Sequence, residues 1–155
     1  MTADTITTRL ATSEDRAAVE DLLDRVFPGK SDGGPLWKEV TAFEKPEWFG
    51  PYIVMTSPDG TLVGCVHVNR GGRISDLAVE PEDRRKGYGS QLVSAAEAHA
   101  REDGCESVSV SVDVEGDVLL RWYADRGYID TGTRDRGWSP GGPCEKAILR
   151  MNLGR

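Results

Sequence analysis

Along this chain, stretches in which apolar and polar residues alternate are mixed with stretches in which apolar residues recur every three or four positions. Alternation and short apolar runs are typical of strands, and the wider spacing is typical of amphipathic helices. The first pattern predicts about seven strands, over Thr5–Leu10, Tyr52–Thr56, Leu62–Asn69, Arg73–Val79, Ser107–Val112, Tyr128–Thr133 and Lys146–Asn152. The second predicts about four helices: one capped by Ser13 and ending near Pro28, a short one around Leu36–Phe43, one from Tyr88 to Gly104, and one over Asp117–Asp125.

The middle strands are separated by tight-turn sequences. Ser57–Gly60 contains the Pro and Asp-Gly chemistry of a turn, and Gly71-Gly72 reverses the chain again. Three consecutive strands therefore form an antiparallel meander. The register implied by the second turn places His67 directly opposite Asp76, and a slip of one residue would send the two side chains to opposite faces.

The order of elements in the second half predicts the rest of the fold. Strand Ile74–Val79, a helix and strand Ser107–Val112 imply a right-handed crossover in which the two strands are parallel. The Gly/Pro-rich segment Arg134–Pro143 separates the last two strands. No repeat or linker divides the sequence, so we expect one α/β (mixed α+β) domain over residues 1–155, with a mixed, mostly antiparallel sheet flanked by helices.

The turn between the predicted fourth strand and third helix has the composition of a phosphate-binding site. It reads Arg84-Arg85-Lys86-Gly87-Tyr88-Gly89-Ser90 and opens a helix, whose first turn offers unpaired N–H groups and about half a positive charge. Gly87 and Gly89 let a ligand approach the backbone. An ordinary strand-to-helix connection is the alternative. A P-loop and a dinucleotide fingerprint are excluded, because Asp24 and Leu92 occupy positions where those motifs need glycine.

Composition narrows the classes of function. A formal net charge of −7 disfavours general nucleic-acid binding and is compatible with a cationic substrate. No apolar run is long enough for a membrane span and no signal peptide is recognisable, so we expect a soluble, cytoplasmic protein. The three cysteines, Cys65, Cys105 and Cys144, are odd in number and far apart, which indicates core packing and neither disulfides nor a metal site.

Two motifs resemble one family. The string R-x-x-G-x-G at Arg84–Gly89 resembles the acyl-coenzyme A signature of the GNAT superfamily of N-acetyltransferases. The segment L-L-R-W-Y-A-D-R-G-Y at Leu119–Tyr128 is similar to that superfamily's helix ending in an aromatic pair. The resemblance extends over Ile53–Leu153 and implies a sheet splayed between the two parallel strands, with the pantetheine arm in the splay.

The resemblance implies acetyl-coenzyme A as cosubstrate, with no metal. It implies that the backbone of Leu77–Val79, which includes Ala78, pairs with the pantetheine arm, and that the Arg84–Ser90 turn binds the pyrophosphate. The implied phosphate-binding residues are Arg84, Arg85, Lys86, Gly87, Tyr88, Gly89 and Ser90. The side chains of Arg85 and Lys86 either contact phosphate or stay solvated. This chain departs from the pattern at Gly116, where many relatives carry an Asn that contacts the pantetheine arm.

Acetyl transfer from a thioester to an amine needs a neutral nucleophile and benefits from a proton donor at the departing thiolate. Tyr123, at the position of the family's acid, is the predicted donor, and a purely packing role is the alternative. Three side chains are alternatives for the general base, namely His67, Asp76 and Glu80. Water is the fourth alternative.

The sequence therefore predicts an N-acetyltransferase that transfers the acetyl group of acetyl-coenzyme A to a primary amine of a small molecule or peptide by direct attack in a ternary complex. The alternatives are a noncatalytic acyl-coenzyme A sensor or interaction module, and a transferase of a larger acyl group. The resemblance implies that the acceptor side is lined by the segment between the first helix and the second strand and by the last loop. These segments carry Trp37, Trp48, Phe49, Trp138, Glu39, Glu44, Glu47 and Asp135. These side chains suit the binding of a cationic or aromatic amine. They equally suit packing within the protein, and Trp48-Phe49 is expected in the core. No nucleic-acid or membrane partner is expected, and a homodimer is compatible with this prediction.

Overall fold

The computed structural model describes residues 6–27, 42–139 and 142–154. Their strands are β1 (Thr7–Leu10), β2 (Tyr52–Thr56), β3 (Leu62–Val68), β4 (Ile74–Val79), β5 (Ser107–Asp113), β6 (Ile129–Ser139) and β7 (Gly142–Asn152). Their helices are α1 (Arg16–Val26), the short α2 (Pro46–Phe49), α3 (Tyr88–Glu102) and α4 (Asp117–Asp125), with 3-10 turns at Ser13–Asp15 and Pro81–Asp83. In this part of the chain no helix is both long enough and apolar enough to cross a membrane.

The strands form two sheets that meet along β4 and β5. The first sheet has the order β1-β2-β3-β4, the second has the order β5-β7-β6, and the pairs within each are antiparallel. An isolated parallel bridge joins Arg73 to Ser109, and the Ser109 N–H donates to the Gly72 carbonyl at 3.0 Å. Beyond this bridge the described residues of β4 and β5 form no ladder, so the predicted parallel pair is splayed towards Val79 and Asp113.

The helices cover opposite faces of the first sheet. Leu92 and Ala96 of α3 pack in one buried cluster with Met55 and Val66 of the first sheet. The valines of β5, Val108, Val110 and Val112, belong to the same cluster. On the other face, Val19, Leu22 and Leu23 of α1 pack with Tyr52, Val54 and Cys65. Because side chains alternate along a strand, the serines of β5 face away from α3, towards the α1 side.

Most predicted elements are present, but some begin or end at residues other than those predicted. The bounds Tyr52–Thr56 and Asp117–Asp125 agree with the prediction. The cap of the first helical turn is Thr12 and not Ser13, because the Asp15 carboxylate accepts the Thr12 N–H at 2.8 Å. The helix predicted around Leu36–Phe43 lies mostly outside the described residues, of which 42–44 are helical.

The predicted separation of the last two strands by Arg134–Pro143 is wrong. There β6 and β7 continue as one long hairpin, paired from Arg134↔Ala147 to Ser139↔Gly142. The described side chains of residues 131–136 are exposed, so this part of β6 has no apolar alternation to reveal it. The register shifts between Asp130 and Arg134, where Gly132 has a φ of 86°.

The predicted register between β3 and β4 is also wrong at one point. His67 pairs with Ser75 and not with Asp76, whereas Cys65 pairs with Ala78. Two residues of β4 therefore oppose the single residue between these pairs, which is a β-bulge. Asp76 lies in this bulge with a φ of 56°, a conformation that aspartate tolerates better than most residues.

Candidate active site

A cavity of about 540 Å³ opens where β4, the turn before α3 and the start of α4 come together. Its lining comprises Val26, Phe27, Leu77, Ala78, Val79, Asp83, Arg84, Arg85, Gly87, Tyr88, Gly89, Ser90, Val118, Leu119 and Trp122. The structure thus brings together the residues predicted to bind the cofactor, except Lys86. The sequence did not predict the apolar contribution of Val118, Leu119 and Trp122, of which Val118 is 85% and Leu119 46% exposed.

The turn before α3 has the backbone geometry of an anion-binding nest. Arg85 and Gly87 both have left-handed backbone, with φ values of 68° and 81°, and Gly87 is the N-cap of α3. Left-handed residues in such a turn aim successive N–H groups at one point, and the helix dipole adds positive potential there. A Cβ built on Gly89 would meet no atom within 4 Å, so Gly89 borders open space.

The cationic side chains of this turn have different surroundings. Lys86 forms an ion pair with Asp83 at 3.1 Å, and that hydrogen bond raises the pKa of Lys86 above its usual value. The Arg84 Nε donates to the Val79 carbonyl at 3.3 Å. Arg85 is exposed and lines the cavity. Of the two side chains that the sequence left open, Arg85 is therefore better placed than Lys86 to contact a bound phosphate.

One edge of β4 faces the cavity beside the turn. Val79 and Ala78 pair with Gly64 and Cys65 of β3 on one side. On the other side, the described residues of β5 leave this part of β4 unpaired, because the sheets are joined only at Arg73. Backbone N–H and C=O groups on such an edge can pair with an extended ligand.

A polar network connects the first turn of α3 with the end of α4. Arg126 donates to the Ser90 hydroxyl at 2.7 Å and forms an ion pair with Glu97 at 3.3 Å, while the Tyr128 hydroxyl donates to Glu97 at 2.7 Å. Burial and that hydrogen bond raise the pKa of Tyr128 well above its usual value. Sequence reasoning missed this network, and the only local signal was the position of Arg126 between Tyr123 and Tyr128.

Tyr123 is buried against Trp122, which lines the cavity, and is not itself a lining residue. It is 5% exposed, and its ring makes edge contacts with Trp122 and Tyr128 at centroid distances of 4.8 and 5.2 Å. Burial raises its pKa to about 12, opposed by the charge of Arg126 and supported by that of Glu97. Among the described residues, the fully buried side-chain nitrogen or oxygen without a partner is Arg126 Nε. The Tyr123 hydroxyl forms no hydrogen bond with the described residues, yet it is not among these fully buried atoms, so it keeps some solvent contact. Its raised pKa keeps it protonated at neutral pH.

The predicted bases lie on the α1 face. The Tyr52 hydroxyl donates to the Asp76 carboxylate at 2.7 Å, and the Tyr52 ring lies 4.9 Å from the His67 ring. His67 Nε2 is 3.1 Å from the Gly50 carbonyl oxygen. Tyr52, which the sequence did not single out, thus connects Asp76 with His67. Glu80 forms an ion pair with Arg25 of α1.

The predicted acceptor side is only partly described. Trp37 and Glu39 lie outside the described residues, as does the side chain of Trp138. Trp48 is not in the core as expected: it is 63% exposed, with the Lys45 ammonium 4.4 Å from its ring centroid. Among the described residues, no group of three or more His, Cys, Asp or Glu side chains is placed to hold a metal ion.

The sequence of residues 16–128, which contains the turn, the β4 edge and α4, matches the model of one protein family, described as the acetyltransferase (GNAT) family. The chain belongs to the GNAT acetyltransferase family. The match covers most of the chain, including the residues that line the cavity. The resemblance based on the R-x-x-G-x-G string and the W-Y-A-D-R-G-Y helix end is thereby confirmed.

Curated relatives include a mycothiol acetyltransferase of Propionibacterium freudenreichii subsp. shermanii, 31% identical over 107 residues. That alignment covers 63% of this chain and 34% of the relative. An aminoalkylphosphonate N-acetyltransferase of Salmonella typhimurium is 37% identical over 79 residues, covering 45% of this chain and 51% of the relative. The chain thus spans about a third to a half of these relatives.

Solved structures share the whole fold. The structure of yncA from Salmonella typhimurium with its cofactor acetyl-CoA superposes with a TM-score of 0.77, covering 97% of this chain and 95% of that chain. The two sequences are 17% identical, so the likeness establishes the fold. The expected GNAT-like fold, with its mixed sheet splayed at a parallel pair, is confirmed.

Proposed function

We propose that this protein transfers the acetyl group of acetyl-coenzyme A to a primary amine by direct attack in a ternary complex. The observation that supports this most strongly is the cavity in which an anion-binding turn, an unpaired β4 edge and the apolar side chains of α4 border one space. A pyrophosphate, an extended amide-containing arm and an apolar contact are the three parts that coenzyme A would bring to these surfaces.

The turn can supply much of the binding free energy. A hydrogen bond to a charged group contributes about 1.5–3 kcal/mol. Three or four such bonds from the N–H groups of Arg85 through Ser90 would account for much of a micromolar affinity, which corresponds to about 8 kcal/mol. Arg85 adds a side-chain cation at the same place.

The chemical step requires two proton movements. The attacking amine loses a proton, which passes to Asp76, to Glu80, to His67 or to water, and the collapsing tetrahedral intermediate expels the thiolate of coenzyme A. Tyr123 donates a proton to that thiolate and is then reprotonated from solvent. Its raised pKa keeps the hydroxyl protonated at neutral pH and so available as a donor.

Similarity to named relatives supports acetyl transfer but does not identify the acceptor. Both curated relatives carry the word acetyltransferase in their names, and the acceptors in those names differ. The acidic and aromatic side chains near residues 44–49 are compatible with an acceptor whose amine is cationic before it loses its proton.

The test combines binding and turnover. Isothermal titration should show acetyl-coenzyme A binding one site per chain, and release of free thiol should then be screened across amines. Binding with turnover supports the proposal. Binding without thiol release from any amine would favour a noncatalytic acyl-coenzyme A sensor, and turnover only with longer acyl thioesters would favour a transferase of a larger acyl group.

A further inference from the structure

Arg73 stands out among the half-buried arginines of the described residues. These are Arg16, Arg73 and Arg126; Arg16 pairs with Glu20 and Glu44, and Arg126 pairs with Glu97. Within the described part of the chain, Arg73 has no carboxylate partner, and its guanidinium donates to the neutral Ser111 hydroxyl. A guanidinium forms its strongest hydrogen bonds with anionic partners, and the Ser111 hydroxyl is neutral. The remaining donors of Arg73 therefore suit a negatively charged ligand.

The position of this guanidinium follows from the seam between the sheets. Arg73 is bridged to Ser109, yet its side chain reaches Ser111, two residues farther along β5. Because the two strands are parallel at this bridge, Ser111 lies level with Ser75. The guanidinium thus lies along the seam beyond the bridge, towards the part of β4 that holds the bulge, on the face that α3 does not cover.

We propose that Arg73 and Ser111 form an anion subsite for the acceptor, and that the preferred acceptor is a small amine that carries a carboxylate or phosphonate close to its amino group. This inference rests on the proposed acetyl transfer. The amine end would lie near the Asp76 carboxylate, and the acidic end would accept hydrogen bonds from the Arg73 fork. Arginine binds planar carboxylates and tetrahedral anions through paired N–H donors, which lysine cannot reproduce.

The acidic surface near residues 44–49 does not conflict with this subsite. A zwitterionic acceptor has a cationic end for the carboxylates and an anionic end for Arg73. A purely cationic amine would instead meet the positive charge of Arg73 near the site of transfer. The subsite therefore disfavours acceptors that lack an acidic group, including neutral amines and polyamines.

Matched acceptors test the proposal directly. Acetylation of 4-aminobutyrate is compared with that of butylamine, and acetylation of L-alanine with that of L-alaninamide. We expect wild type to prefer the acid of each pair, and Arg73→Met to lower kcat/KM for the acids by about 10- to 100-fold while leaving the neutral amines nearly unchanged. Arg73→Lys should recover only part of the preference. Arg121→Met, which removes a charge from an exposed position on α4, is the control.

A purely structural role for Arg73 predicts a different result. If Arg73 only fastens the seam, Arg73→Met and Ser111→Ala should lower the melting temperature and depress all four acceptors equally, which would overturn the proposal. Equal wild-type rates with acids and neutral amines would do the same. Titration of 4-aminobutyrate and butylamine into protein with and without coenzyme A gives a readout that does not need turnover. Failure of the proposed acetyl transfer would register separately, as failure to bind acetyl-coenzyme A or as binding without thiol release from any of the four acceptors.

Discussion

Arg126 donates a hydrogen bond to the Ser90 hydroxyl at 2.7 Å, which ties the residue at the end of α4 to the first turn of α3. The same guanidinium forms an ion pair with Glu97, and the two side chains are 18% and 13% exposed. The turn that we propose to bind pyrophosphate is therefore held by an ion pair that water screens only weakly. This arrangement makes the shape of the turn depend on a residue 36 positions away in the sequence.

Arg126→Met should destabilise the protein, because it leaves the Glu97 carboxylate with the Tyr128 hydroxyl as its remaining partner in this network. Removing one member of a mostly buried ion pair is expected to cost about 2–4 kcal/mol of the free energy of unfolding. Ser94→Ala, which removes one neutral hydrogen-bond acceptor of Arg126, should cost about 1 kcal/mol or less. Urea denaturation measures both. Equal costs for the two variants would show that the ion pair contributes little.

Gly89→Val should weaken acetyl-coenzyme A binding at least about 10-fold without unfolding the protein. The new side chain enters space that holds no protein atom within 4 Å, so it obstructs a ligand and not the core. Gln91→Val is the matched control, since it introduces the same β-branched residue at an exposed position of the same turn. Isothermal titration compares the affinities. An unchanged affinity in folded Gly89→Val would refute the assignment of the pyrophosphate to this turn.

Tyr123→Phe should lower turnover by about 100-fold or more while acetyl-coenzyme A affinity stays close to that of wild type. The variant removes the proposed proton donor and keeps the ring contacts with Trp122 and Tyr128. In wild type, the pKa of about 12 predicts no loss of activity from ionisation of this hydroxyl at neutral or mildly alkaline pH. Tyr128→Phe is the control: it should lose stability through Glu97 and keep most of its turnover.

Stability at alkaline pH provides an independent measurement on the same variant. The pKa of Tyr123 is raised from 10.0 to about 12 by folding, so its contribution to stability is complete below pH 10 and is lost as pH rises towards 12. Two pKa units correspond to about 2–3 kcal/mol. Tyr123→Phe should therefore flatten the decline in the free energy of unfolding over this range. A decline identical to that of wild type would mean that the Tyr123 hydroxyl is not buried in solution.

The sequence revealed the turn before α3 because its signals are contiguous: an apolar strand, Pro81, two glycines and a helix follow one another within a few residues. The network of Arg126 could not be predicted in the same way. Its members come from α3, the end of α4 and the residue before β6, and a charged residue in a sequence gives no indication of which opposite charge it will meet. Pairing that depends on tertiary packing has no local pattern.

The bulge at Asp76 illustrates a second limit. The turn at Gly71-Gly72 was located correctly, and the register agrees with it in direction but slips by one residue between Cys65 and His67. An aspartate that adopts left-handed backbone looks the same in a sequence as one that does not. Because side chains alternate, that single extra residue decides which groups of β4 face Tyr52 on the α1 side and which face α3.

Asp76→Asn distinguishes a side-chain base from a water-mediated one. If Asp76 takes the amine proton, the variant should lose about 10²- to 10⁴-fold in kcat/KM and lose the acidic limb of its pH profile. Tyr52→Phe removes the hydrogen bond to the Asp76 carboxylate and should lower kcat/KM less than Asp76→Asn does. Glu80→Gln makes the same carboxylate-to-amide change at the rival position, where it breaks the ion pair with Arg25. A profile altered by Glu80→Gln and not by Asp76→Asn would assign the proton to Glu80. Profiles altered by neither would leave His67 or water as the acceptor.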